Sequence, residues 1–217
     1  MNAGYVSVIS ELFPNAEIII DRFQLVQLIS KLMNKTRIRA MNKLKTSNGE
    51  DMKKYRRLKK FWRLILKSQS DLSSVEYKNY PLFGQRLETT IVEELISYDE
   101  ELKINYLVYQ NLLKAMQSRN FELLIEALDN IKLSTVSSYM KTSIKTLKKY
   151  LLHIENSFIY SYSNGRIEGI NNKIKVLNRV AYGYRSFSNF RKRIFLHFKL
   201  KPRTNKNKQN HLHCRAA

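Results

Sequence analysis

The sequence predicts a mainly α-helical protein that contains one short β-strand. Only 6 Gly and 3 Pro occur among 217 residues, a composition that disfavours a hairpin-rich all-β fold. Apolar residues recur every three or four positions over most of the chain, which is the spacing of amphipathic helices. A hydrophobic content of 43% is enough for one sizeable core or a small two-part structure.

The first 22 residues predict a helix followed by the strand. Residues 16–20 form a mostly β-branched run, which is typical of a short strand in a covered parallel sheet. Asp21 follows the strand, where it could either contact a ligand at the sheet edge or cap the next helix, and the sequence leaves both alternatives open. The preceding helix is stopped by Pro14, and its apolar positions are Tyr5, Val8, Ile9, Leu12 and Phe13.

Helices are predicted throughout the segment from Phe23 to Glu155, with breaks at 47–49 and a turn at 81–84. The first of them runs into basic sequence, and we expect its basic end, with Lys35, Arg37 and Arg39, to be solvated. The stripe from 91 to 113 predicts one long helix whose apolar seam packs against other helices. The apolar runs lie at 25–33, 55–65, 91–113, 121–128 and 136–154.

The charge balance indicates nucleic acid as the partner. The chain has 39 Lys and Arg against 18 Asp and Glu, a formal net charge of +21, and a positive field of this size attracts polyanions. The alternative is a ribosome-like or merely soluble basic protein. No stretch approaches the roughly 18 apolar residues of a membrane span, and no secretory signal is evident, so we expect a soluble, unexported protein.

The polar, basic tail at 201–217 is expected to be disordered. It contains Cys214, the single cysteine of the chain, which excludes a disulfide framework and fits the cytosol. His211 and His213 lie beside this cysteine. Three candidate ligands in a flexible tail are a weak metal signal, because a structural zinc site needs four.

The most informative stretch is SNGRIEGINNKIK at 163–175, which begins as a loop and becomes a helix. Helical spacing places Glu168 on one face with Asn171, Asn172 and Lys175. Such a carboxylate could hold a divalent metal together with substrate phosphate oxygens. The alternative is a first-turn Glu that the helix dipole stabilises, and the residues alone favour this alternative.

Cations and aromatic residues alternate between 179 and 193, a pattern suited to phosphate contacts and base stacking. The alternative is an aromatic core with a solvated basic face, and the two interpretations are compatible. The predicted DNA-binding residues are Lys173, Lys175, Arg179, Tyr184, Arg185, Arg191, Lys192 and Arg193.

Two motifs together carry a family resemblance. The first is FPNAEIIIDRF at 13–23, and the second is NGRIEGINNKIK at 164–175, followed by Gly183, Tyr184, Arg185 and Phe187. From about Met1 to Phe198 the chain resembles the ISL-three group of bacterial insertion-sequence transposases.

The resemblance implies a ribonuclease-H-like α/β core in which three acidic residues bind two Mg²⁺ or Mn²⁺ ions. Such enzymes cut DNA at transposon ends and join the new 3′ hydroxyl to a target. Glu168 matches the third acid, which makes it the implied catalytic and metal-binding residue. The implied regions are a residual core helix and strand at 1–22, an all-α insertion at 23–156, C-terminal core helices at 157–200 and the tail at 201–217.

The first two acids of the family are expected to fall before Met1, with Asp21 as the alternative second acid. Strand 16–20 also needs partner strands that this sequence does not supply. Because two ions need several carboxylates, we expect a truncated, catalytically incomplete transposase that does not bind the metal stably alone.

The alternatives are a non-catalytic DNA-binding or regulatory fragment and a destabilised remnant. The implied partners are transposon-end and target DNA, with a homo-oligomer or full-length transposase subunits as further candidates. The implied location is the bacterial cytoplasm, in association with the nucleoid.

Overall fold

The described residues are 8–9 and 11–199 in this computed structural model, and ten bounded α-helices, a 3-10 helix and one two-stranded sheet form most of their regular structure, with residues 8–9 and 11–12 also helical. The chain divides into two compact units, Met1–Tyr162 and Ser163–Ala217. The predominance of helices confirms the mainly helical fold class. The predicted helix over 5–13 lies only partly within the described residues, and the tail with His211, His213 and Cys214 lies outside them.

Three helices begin the first unit. Asp21 caps the first of them, because its Oδ1 accepts the Phe23 N–H at 2.8 Å. Asn48 caps the second in the same way and accepts the Glu50 N–H at 3.0 Å, so the predicted break at 47–49 is confirmed. The three helices are α1 (Arg22–Lys43), α2 (Gly49–Lys60) and α3 (Trp62–Leu66), and a 3-10 turn follows at Gln69–Asp71.

The basic end of α1 is solvated only in part. Lys35 and Arg39 are exposed, but Arg37 is only 6% exposed, so the predicted solvation is wrong for Arg37. Helical spacing turns this residue towards the core, where its Nε donates to Asn34 Oδ1 and one terminal nitrogen donates to the Leu58 carbonyl, each at 2.8 Å. Burial lowers the pKa of the Arg37 guanidinium. These hydrogen bonds replace water around the buried cation and tie α1 to α2.

The predicted strand at 16–20 is wrong, because this segment forms no strand and pairs with none among the described residues. It lies against a helix near the end of the first unit instead. The Ile20 N–H donates to the His153 carbonyl at 3.3 Å, and the Asn156 side chain donates to the Ile18 carbonyl at 3.1 Å. β-branched residues favour an extended backbone, but strand pairing also needs a neighbouring strand. A ribonuclease-H-like core therefore remains a prediction.

A β-hairpin interrupts the segment that was predicted to be entirely helical. Its strands, β1 (Lys78–Tyr80) and β2 (Gly84–Arg86), are antiparallel. The turn predicted at 81–84 is confirmed, with Leu82 and Gly84 at positive φ. The strands were missed because each has three residues and no alternating apolar pattern. Aromatic packing holds the hairpin in place, since Phe61 lies 5.9 Å from Tyr80 and 5.2 Å from Phe83 between ring centroids.

Five further helices complete the first unit. The apolar stripe at 91–113 packs in the core as predicted, but it belongs to two helices rather than one. Asp99 accepts the Leu102 N–H at 2.8 Å and thereby begins a new helix. The helices are α4 (Glu88–Ile96), α5 (Glu100–Gln117), α6 (Phe121–Asp129), α7 (Ser138–Lys149) and α8 (Leu151–Ile159).

A buried polar network joins three helices of this core. Asn105 on α5 accepts two hydrogen bonds at its Oδ1, from the N–H and hydroxyl of Ser137 at 3.2 and 3.0 Å. The Ser137 hydroxyl also lies 2.8 Å from that of Thr36 on α1. All three residues are buried. The network fixes α1 and α5 relative to the start of α7.

The second unit contains two helices, α9 (Gly165–Val180) and α10 (Phe187–His197). Neither helix has a buried residue. Across the described part of the chain, every helix is too short or too polar to cross a bilayer.

Candidate nucleic-acid interface

Glu168 lies in the first turn of α9, as the change from loop to helix in the sequence predicts. The helix begins at Gly165, and the Glu168 N–H donates to the Asn164 carbonyl at 2.9 Å. A carboxylate at this position is therefore stabilised by the helix dipole, and it is exposed to solvent.

The side chains around Glu168 match the predicted polar face. Asn171, Asn172 and Lys175 are all exposed and stand one or two helical turns further along α9. The apolar residues of the helix are also accessible, with Ile167 60% and Ile170 45% exposed. Helix α9 therefore presents nearly its whole circumference to solvent.

Two metal ions need several carboxylates, and the described residues do not provide such a set. No three Asp, Glu, His or Cys side chains among them lie close enough together to hold one ion. Glu168 is the last acidic residue of the sequence, so it is the single acid of its unit. The donor groups in the described part of the chain thus do not fit a two-metal centre.

Asp21, the alternative acid, caps helix α1 through the hydrogen bond to Phe23. The capping alternative for this residue is therefore observed. Its assignment as a catalytic acid stays a prediction.

A tight turn ends α9 and brings an exposed tyrosine to its tip. The Gly183 N–H donates to the Asn178 carbonyl at 2.9 Å, and the Tyr182 N–H donates to the Arg179 carbonyl at 3.0 Å. This pair of bonds is the Schellman arrangement of helix ends. Both turn residues have positive φ, 54° for Tyr182 and 93° for Gly183. The Tyr182 side chain is completely exposed.

The turn is joined to α10 by aromatic packing. The Tyr184 and Phe190 rings are stacked with centroids 5.0 Å apart, and both residues are half-buried. Along α10, the Arg191 guanidinium lies 5.2 Å from the centre of the Phe195 ring. Tyr184 thus packs within its own unit.

The remaining predicted DNA-binding residues form an exposed cationic surface. Between residues 163 and 199 there are nine Lys and Arg against one Glu, so most of these cations lack any acidic partner in their own unit. Helix α9, the turn and helix α10 each contribute to the surface. The predicted cations, all exposed, are Lys173, Lys175, Arg179, Arg185, Arg191, Lys192 and Arg193.

Tyr182 belongs to the aromatic and basic pattern at 179–193 but was not among the predicted DNA-binding residues. Its full exposure beside Arg179 makes it a candidate for base stacking. The signal in the sequence is Gly183, which marks a helix end and places the preceding side chain on the turn.

Comparisons with known proteins agree with the two motifs. A family model described as Transposase matches residues 1–194. A Lactococcus lactis subsp. lactis protein named ATP-dependent protease is 41% identical over 109 residues, which are 50% of this chain and 34% of that protein. The chain therefore spans about a third of the length of that curated relative. No solved structure matches the chain.

Proposed function

Because the chain belongs to the ISL-three type of transposase family, we propose that its second unit binds the DNA of an insertion sequence during transposition. The observation that carries the proposal is the exposed cationic surface of α9, the turn and α10. Nine cations against one acid leave most of that charge uncompensated, and phosphate groups are the natural counter-charge. Tyr182, at the tip of the turn, would stack on an unpaired base.

Glu168 is proposed to supply one carboxylate of the metal site that this family uses. Its support is the motif match at 164–175 and its exposed position in the first turn of α9. The described residues provide no further cluster of acids for the metal ions. We therefore propose that these 217 residues bind DNA without completing cleavage and strand transfer by themselves.

The helical segment at 23–156 is proposed to be the insertion that separates the two motif-bearing parts. Its support is the order of the motifs, one at each end of a segment that is helical apart from one hairpin. The activity in the name of the Lactococcus protein is not assigned to this chain, because only 34% of that protein is aligned with it.

The proposal is tested with labelled duplex DNA that carries the terminal sequence of the element, in the presence of Mg²⁺ or Mn²⁺. We expect binding that weakens as salt rises, because released counterions dominate phosphate contacts, and no cleavage above that of Glu168→Gln. The Gln variant is the matched control, since it keeps the shape of the side chain and removes its charge.

Two results would contradict the proposal in different ways. Cutting by the wild-type chain that Glu168→Gln abolishes would show a complete catalytic centre. Absence of DNA binding, or binding that salt leaves unchanged, would contradict the proposal that the second unit binds DNA.

A further inference from the structure

A second cationic surface lies in the first unit, among residues that the predicted site does not include. Between Asp51 and Asp71 the sequence has eight Lys and Arg and no acidic residue. Helices α2 and α3 contain all but one of these cations. Six of the eight fall into an inner and an outer set, while Lys53 pairs with Glu50 and Lys54 lies over the Tyr98 ring.

The inner cations are neutralised by acids of helix α4. Arg57 donates to Glu94 Oε1 at 2.6 Å and to the Tyr98 hydroxyl at 3.1 Å. Lys67 donates to Glu88 Oε2 at 2.7 Å. These pairs show that Glu88 and Glu94 are already engaged with the inner cations.

The outer cations are Arg56, Lys59, Lys60 and Arg63, which we call the outer stripe. All four are exposed. Throughout the described ranges, no carboxylate forms an ion pair with any of them. Arg56, Lys59 and Lys60 follow the spacing i, i+3 and i+4 within α2, which brings them onto one face, and Arg63 follows on α3 after the break at Phe61.

This face carries a repulsion that the described residues do not relieve. Like charges three or four positions apart destabilise a helix. The helix dipole favours cations in the last turn of α2, such as Lys59 and Lys60, but it disfavours Arg63 in the first turn of α3. A polyanion bound along the stripe would remove the repulsion.

The stripe is held in place by the core on its opposite side. Leu58 and Ile65 are completely buried, and Phe61 is 8% exposed. The backbone between α2 and α3 is bonded across Phe61, whose N–H donates to the Arg57 carbonyl at 3.0 Å. The outer cations therefore project from a rigid support and lose little backbone freedom on binding.

Trp62 extends the surface with an exposed aromatic ring. The side chain is 37% exposed, and the Arg63 guanidinium lies 5.3 Å from the ring centroid. A large exposed ring beside a cation is a common feature of surfaces that bind nucleic acids.

We propose that the outer stripe binds the phosphate backbone of duplex DNA, as a contact surface additional to that of the second unit. The stripe spans two consecutive short helices, and at the helical rise its eight residues cover about 10 Å, a length over which duplex DNA carries about six phosphate charges. Contacts to phosphate position DNA without selecting its sequence. This inference rests on the proposed function, because DNA is the ligand in both.

The test uses the full chain and two readouts, the fluorescence anisotropy of labelled duplex DNA and the emission of Trp62. Trp62 is the single tryptophan of the sequence, so its emission reports on this surface and not on the second unit. We expect DNA to change the Trp62 emission. In the fourfold variant Arg56→Gln, Lys59→Gln, Lys60→Gln, Arg63→Gln, this change should disappear, and the slope of log affinity against log salt should become shallower by about 3 to 4.

The control variant is Lys31→Gln, Lys103→Gln, Lys114→Gln, Lys132→Gln. It removes four exposed lysines of the same unit and therefore lowers the net charge equally. Its salt slope should change by less than about 1, and its Trp62 response should persist. Glutamine is a good helix former, and urea unfolding of each variant checks that the fold is kept.

A third variant separates this inference from the proposed function. Arg191→Gln, Lys192→Gln, Arg193→Gln should weaken binding but keep the Trp62 response at saturating DNA. Two results would contradict DNA binding by the outer stripe alone. One is a wild-type Trp62 emission that DNA leaves unchanged, and the other is an equal salt slope for the stripe and control variants. A wild-type chain that binds no DNA would overturn both proposals.

Discussion

Helices α5 and α9 are similar in length but have opposite roles in the molecule. The 18 residues of α5 include nine buried ones, and the 16 residues of α9 include none. Both helices carry apolar residues at helical spacing, so periodicity alone does not distinguish them. The difference shows that α5 organises a core, while α9 presents its side chains outward.

The two units also differ in how their charges are compensated. In the first unit, buried or half-buried acids such as Glu88 and Glu94 pair with Lys67 and Arg57. In the second unit, Glu168 is the one acid beside nine Lys and Arg between 163 and 199. Part of the charge in the first unit therefore supports the fold, whereas most of the charge in the second unit has no acidic partner there and is available for a polyanion.

The largest expected loss of stability comes from a substitution in the core of the first unit. Leu112 on α5 is completely buried, so Leu112→Ala removes packed methyl groups and leaves a cavity. We expect the free energy of unfolding to fall by about 2 to 5 kcal/mol, measured by urea denaturation.

The matched change in the second unit is Ile170→Ala, at a side chain that is 45% exposed. We expect the free energy of unfolding to fall by less than about 1 kcal/mol, because this half-exposed side chain buries little apolar area. Equal losses for the two variants would mean that α9 is packed as tightly as α5, and the contrast between the helices would be lost.

A smaller effect tests the polar network at the centre of the first unit. Asn105→Ala removes the acceptor of the Ser137 N–H and hydroxyl, which are buried groups that water cannot easily reach. We expect the free energy of unfolding, again measured by urea denaturation, to fall by about 1 to 3 kcal/mol. The exposed Asn172→Ala serves as control and should change stability by less than about 0.5 kcal/mol. A tolerated Asn105→Ala would show that these hydrogen bonds are dispensable.

Much of the helical content could be predicted from the sequence, because buried faces repeat every three or four residues. The failures lie where the partner of a segment is distant in sequence. Residues 16–20 have the composition of a strand, but a helix that contains His153 and Asn156 takes the place of a neighbouring strand. The hairpin at 78–86 was missed because its aromatic packing on Phe61 cannot be read from three-residue strands.

Prediction of the candidate site from the sequence has the same limit, because contacts between residues distant in sequence cannot be predicted. The motif around Glu168 and the basic residues that follow it are contiguous in sequence, so both could be predicted as a candidate site from the sequence alone. Arg56 and Arg57 are neighbours in sequence, and composition alone cannot separate them. One turns outward and the other reaches Glu94, a residue 37 positions away. The sorting of these cations depends on the rotation of α2 against α4, which the sequence pattern does not specify.

The smallest expected effect is on how the free energy of unfolding depends on pH, and it tests the difference in burial between α5 and α9. Burial raises the pKa of Tyr106 on α5 to about 12 from an ordinary value of 10.0. Because the folded state holds this proton more tightly than the unfolded chain, its contribution to stability is complete below pH 10 and is lost as pH rises towards 12. We expect the free energy of unfolding to decline over this range by about 1 kcal/mol more in wild type than in Tyr106→Phe. On α9 and its turn the matched variant is Tyr182→Phe, at a fully exposed side chain, and it should leave the decline unchanged. Identical pH profiles for wild type and Tyr106→Phe would mean that the α5 core admits the phenolate without penalty.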